Sequence, residues 1–154
     1  MRRLTDALYS IAVTLWVGGL WAVGYLAAPT LFVELPEQRM VAGNLAGQMF
    51  AWMAWVGIGC AAYLVLFLVL RRGWRIFRSL VFWLVLMMLL LTLGGHFGIQ
   101  PILVALKAEA WPREVMQSVA RDRFAAWHGI ASILYLVESI VGLLLVVMQE
   151  RGKA

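Results

Sequence analysis

The residues of this chain that could do chemistry are few, and most of them interrupt apolar sequence. There are two histidines, His96 and His128, and Glu138 is the one formal charge between Phe124 and Met148. Imidazole nitrogens can hold a metal ion or a haem iron. A carboxyl in hydrocarbon can relay a proton or cation, or stay neutral and join helices by hydrogen bonding. Ionisable groups inside a membrane are costly and mark functional sites by default. At helical spacing His128, Ser132, Tyr135, Ser139 and Gly142 share one face, with Glu138 beside it, while the opposite positions are Ile, Leu and Val. Thr92 and His96, four residues apart, share a face of the preceding apolar run, which ends near Gln100.

These positions form the candidate site. Its ligand-binding or interior polar residues are His96, His128, Ser132, Tyr135, Glu138, Thr14 and Gln100. Thr14 and Tyr135 are the expected partners of Glu138, by depth. His96 lies near the outer end of one helix and His128 near the same end of the next, so antiparallel packing would bring both to similar depth. They are the metal candidates, with haem or copper as the cofactor. The plainer reading has each imidazole bonded to a nearby carbonyl or hydroxyl, because two nitrogen ligands without a carboxylate or thiolate make a poor metal site. No catalytic residue stands out. There is no phosphate loop, nucleophile elbow or HExxH motif.

The elements that must position these groups are membrane helices. The chain has 154 residues, 64% of them hydrophobic, with mean hydropathy +0.87. Soluble domains are only ~45–50% apolar. Apolar runs at about 7–33, 40–70, 79–100 and 124–148 are each long enough to cross a ~30 Å hydrocarbon core as a helix. They use nearly the whole chain as a single membrane domain. The first run is too long for the ~7–15-residue core of a signal peptide and reads as a retained helix. Ser10, Thr14, Gly18, Trp21 and Tyr25 form its expected inward stripe. Pro29 near its end should do little harm. In the second run Gly43, Gly47, Ala54, Gly57 and Ala61 put small residues on one face, including a GxxxG pair that allows close backbone approach. Pro101 predicts a kink. Beyond it, Ile102–Ala110 and Arg113–Arg123 extend the third and fourth helices as a short hairpin.

Charge sets the expected orientation. Arg2, Arg3, the four arginines of Arg71–Arg78, Arg151 and Lys153 lie at one side, outnumbering Asp6 and Glu150. The five basic residues of the other side are matched by five acids. The positive-inside rule then puts both termini in the cytoplasm and the hairpin outside. The net charge of +5 marks membrane orientation rather than nucleic-acid binding. The single cysteine, Cys60, excludes an internal disulfide and a multi-cysteine metal site.

The stretches Phe124–Ser132 (FAAWHGIAS), Gly98–Pro101 and Leu15–Trp21 resemble a known family, domain of unknown function 4149, the transmembrane-protein-205-like proteins. The resemblance implies a four-helix membrane protein and supplies no reaction. More distantly, the first helix is similar to the copper-resistance D membrane proteins and to the haem-associated bacterial protoporphyrinogen oxidase. The oxidase family has a histidine early in that helix, where this chain has Tyr9.

The expected architecture is therefore all-α, an integral four-helix bundle of the cell (inner) membrane. The leading functional reading is a non-enzymatic bundle whose polar interior binds a small ligand or metal ion and helps to move it. One alternative is a haem-, copper- or quinone-linked redox protein. Another is a structural or assembly partner of a membrane complex, or a homo-oligomer.

Overall fold

A chain in hydrocarbon must satisfy its backbone polar groups internally, and continuous helices do so. The computed structural model describes residues 2–109 and 117–151. The first span is α1 (Arg2–Trp21), a π-helical segment (Ala22–Ala27) and α2 (Ala28–Glu34). The second is α3 (Arg39–Arg72), followed by a 3-10 segment at Gly73–Arg78. The third is α4 (Leu80–Leu93), a π-helical segment (Gly94–Ile99) and α5 (Gln100–Glu109); the fourth is α6 (Gln117–Arg151). Among the described residues four helices are long and apolar enough to cross a membrane, Arg3–Glu34, Arg39–Arg78, Leu80–Ala108 and Asp122–Gln149. The molecule is an all-α, four-helix membrane bundle. The third helix continues across Pro101 into α5 by way of its π segment, as the expected extension over Ile102–Ala110 requires. The tip of the expected hairpin falls on 110–116, outside the described residues.

The helix ends follow their sequences. Arg71 and Arg72 occupy the last turn of α3, where cations meet the negative end of the helix dipole. Gly73 then takes φ 51°, a left-handed conformation that glycine adopts without a Cβ penalty and that ends the helix. Arg72 donates to the Ser79 hydroxyl at 2.7 Å, and the Trp83 indole donates to the Phe77 carbonyl at 2.9 Å. These bonds hold the tight turn into α4. Arg71 pairs with Asp6 at 2.8 Å on the same side; an exposed pair of this kind adds about 0–1 kcal/mol.

α1 and α4 each pack against both α3 and α6, so the spans form a ring. The two halves of the ring differ. At the end that carries the termini, Val13, Trp16, Leu64, Val85, Met88 and Leu145 build a closed apolar core. Trp16 is 1% exposed and lies on Gly57, where an added Cβ would meet the indole nitrogen at 2.5 Å. At the other end the helices stand apart around a cleft. Ile133, Ile140 and Leu143 of α6 are exposed and face outward, as lipid contact requires.

Two expected faces come out differently. The buried side of α1 is Tyr9, Val13, Trp16, Val17 and Leu20, and Thr14 and Gly18 point away from the bundle. Close packing selected bulky apolar residues there, and polarity was a poor guide. On α3, Gly57 and Ala61 are buried, but Gly47 has no neighbour within 4 Å of an added Cβ. Gly43 meets only side-chain ends, Lys107 Nζ and Phe32 Cζ. The GxxxG pair bares backbone carbonyls to the side chains of α5.

Candidate functional site

Both π segments lie beside the cleft and have the same construction. Each is six residues long and is followed by one helical residue and then a proline, Ala28–Pro29 in one and Gln100–Pro101 in the other. The N–H of Ala28 reaches the Val23 carbonyl, and that of Gln100 reaches the Gly95 carbonyl. These are i to i−5 steps. A proline ring clashes with the carbonyl four residues before it, here Tyr25 and Phe97. A wider turn accommodates the ring without ending the helix. The expected kink at Pro101 thus takes the form of a wide turn, and Pro29, expected to be harmless, has the same effect on the first span. Single-turn π segments are frequent at functional sites.

The cleft has a volume of ≈ 1090 Å³ and is walled by all four spans. Phe32, Met40, Phe50 and Leu103 are among its apolar walls, and Glu138 and Thr92 line its floor. The Glu138 side chain is buried at 6% exposure. Its Oε1 is 2.5 Å from Thr92 Oγ1, and that oxygen is 2.9 Å from the Met88 carbonyl. A hydroxyl has one proton to donate. Thr92 faces both acceptors with that one proton; a protonated Glu138 would donate to Thr92 and leave the Thr92 proton for Met88. The expected partner Thr14 is exposed and takes no part. The Thr92–Glu138 pairing was missed because it joins residues of different spans; only matched depth signalled it.

Tyr135, the other expected partner of Glu138, is engaged elsewhere. Its hydroxyl donates to the Leu20 carbonyl and lies against the Gly24 amide. Leu20 and Gly24 would form one i to i−4 step of an ordinary helix, so the tyrosine enters the ladder of the first span just where it widens. Side-chain insertion is a known cause of such irregularity. An added Cβ at Gly24 would collide with the Tyr135 ring. One turn on, Ser139 accepts from Tyr25 at 3.0 Å and donates to the Tyr135 carbonyl at 2.8 Å. Trp21 donates to the Ser139 carbonyl at 3.4 Å. Trp21 and Tyr25 of the expected stripe therefore do reach the fourth span.

The two histidines line the same cleft but have different neighbours. His96 Nδ1 is 3.0 Å from Gln100 Oε1, and Gln100 Nε2 donates to the Gly47 carbonyl at 3.0 Å. The second bond sets the amide so that its oxygen faces the imidazole. With the amide so placed, Nδ1 is the nitrogen that donates, which leaves Nε2 toward the cleft as the free ring position. Trp55 and Phe97 meet the ring edge-to-face at 5.5 and 4.7 Å. His128 stacks on Phe124 of its own helix at 5.9 Å. Ser132 donates back to the His128 carbonyl at 2.9 Å, which satisfies it locally. Among the described residues no three His, Cys, Asp or Glu side chains converge as metal ligands.

Lys107 lines the cleft toward the end away from the termini. Its Nζ donates to the Gly43 carbonyl at 3.1 Å and lies 6.0 Å from the centre of the Phe124 ring. Sequence reading placed this lysine on the hairpin and missed it as a cleft residue. Its spacing was a signal: Thr92, His96, Gln100 and Lys107 follow one helical face. Arg39, from the start of α3, lines the cleft as well.

The family described as Domain of unknown function (DUF4149) matches residues 11–112, and the chain belongs to it. The match covers Leu15–Trp21 and Gly98–Pro101, and ends before the Phe124–Ser132 stretch and Glu138. No curated protein and no solved structure matches the chain.

Proposed function

We propose that this member of the DUF4149 family binds a small ligand in the cleft between its four spans and helps to move it. The cleft carries this reading. Ligand sites are concave and mostly apolar, ~300–1,000 Å³ in volume, with a few placed polar groups. A volume of ≈ 1090 Å³, apolar walls and a Glu138–Thr92 floor are of that kind. The closed core at the other end supplies a rigid base, and the two π segments leave local room for helix adjustment. By the distribution of basic residues, the termini lie in the cytoplasm and the cleft is in the outer half of the cell membrane.

Photoaffinity labelling tests the binding. A neutral alkyl diazirine added to membranes holding the full chain should label cleft positions such as Phe50 and Leu103 above the outward face of α6. Gly47→Trp places a large side chain in open cleft space and should abolish cleft labelling in a folded protein. Labelling confined to the outward faces would refute the reading.

A second reading draws on the two histidines in one cleft, which could hold haem or copper for a redox role. Nε2 of His96 is suited to ligation, and His128 would have to supply the opposite nitrogen. An absorption spectrum of the purified chain tests it: a Soret band lost in both His96→Ala and His128→Ala would support haem, and a band that survives both would refute this ligation.

A further inference from the structure

We propose that the ligand of the cleft is an anionic amphiphile, held by its head at Lys107 and by its apolar tail along the cleft toward Thr92; this rests on the cleft being a ligand site. Three observations lead to it. First, the Lys107 ammonium turns inward. A lysine near the end of a membrane helix ordinarily extends to the interface, whereas here Nζ is folded onto the Gly43 carbonyl of α3. Second, its charge has no carboxylate partner among the described residues, and neither has that of Arg39. Gly43 takes one of its three N–H donors. A half-buried cation on a cleft wall favours an anion. Third, the dimensions suit a lipid tail. Lys107 and Thr92 are separated by 15 residues of helix, or roughly 22 Å at 1.5 Å per residue. One leaflet of a ~30 Å hydrocarbon core is shorter than that, so an extended acyl or isoprenoid chain fits. An isolated ion would leave most of ≈ 1090 Å³ unfilled.

The head could be a carboxylate or a phosphate, and the tail could be a free acid or part of a membrane lipid. A competition assay separates these cases. The full chain, purified in a neutral detergent, is loaded with dansyl-labelled undecanoic acid and read by tryptophan-to-dansyl energy transfer. Oleate, methyl oleate, lysophosphatidate and lysophosphatidylcholine then compete for the site. One of the anions should displace the probe at a concentration at least about tenfold lower than its neutral counterpart, the scale of one charge-assisted hydrogen bond. Preference for oleate identifies a free acid, and preference for lysophosphatidate a phosphate headgroup. Lys107→Met should remove the preference and leave methyl oleate unchanged, and Lys107→Arg should keep it. Equal displacement by charged and neutral competitors overturns the proposal while the cleft stands as a ligand site. So does a preference that survives Lys107→Met. If no competitor binds and the chain is dimeric, with a second copy in the cleft, both this proposal and the ligand site fall.

Discussion

The Tyr135 hydroxyl on the fourth span donates to the Leu20 carbonyl on the first, at the point where that helix passes from α to π geometry. The bond joins two walls of the cleft through backbone, so it fixes their spacing whatever the side chains nearby. Tyr135→Phe keeps the ring on Gly24 and removes this bond together with the hydroxyl's contact to the Gly24 amide. It should lower thermal stability in detergent by the ~0.6–2 kcal/mol typical of interhelical hydrogen bonds in membranes. Gly24→Ala should cost more, because its Cβ occupies the space of the ring. A Gly24→Ala protein as stable as wild type would show that the spans can shift apart freely.

Glu138 and Thr92 should act as one unit. Glu138→Gln can still donate to Thr92 and should match wild type in stability. Glu138→Leu and Thr92→Val should each lower it by ~0.6–2 kcal/mol. Together they should cost less than their sum, since either change alone breaks the shared bond. Strict additivity in thermal melts would mean that the two groups contribute separately. In a transport or tolerance assay, a folded but inactive Glu138→Gln would assign the carboxyl a proton- or cation-relay role.

The His96 tautomer is open to direct measurement. Nitrogen NMR of labelled protein at a pH where the ring is neutral should show the proton on Nδ1. Gln100→Leu removes its acceptor and should release this preference. A proton on Nε2 in wild type would contradict the Gln100 orientation derived from its bond to Gly47.

Orientation rests on charge alone. A cytoplasmic reporter fused at Ala154 should be active, and a periplasmic reporter inserted near Pro112 should be active as well. Activity of a periplasmic reporter at Ala154 would reverse the topology.

The spans were legible because twenty or so apolar residues in a row have one stable form in hydrocarbon. The inner face of α1 was not. Polarity and small size pointed to Thr14 and Gly18, which are exposed, but Trp16 and Val17 fill the space against Gly57 and Gly142. Lipid and core are equally apolar, so shape decides which side turns inward. Pro101 announced a break in its helix. That the break is a wide turn has no mark in the sequence, and at Pro29 the same turn is met by Tyr135 from a different span. Of the candidate site, His96, His128, Ser132, Tyr135, Glu138 and Gln100 all line the cleft. Their partners were harder to read: Thr92, Gly47 and Leu20 are joined to them only by tertiary packing, and two of these bonds use backbone carbonyls that carry no sequence signature.

The central claim is that the cleft holds a ligand. Native mass spectrometry of the full chain, released gently from its membrane, tests it most directly. The account predicts one bound amphiphile per chain, retained in Glu138→Gln and lost in a folded Gly47→Trp. A wild-type chain that carries no bound mass, or a bound mass that Gly47→Trp leaves in place, would contradict it.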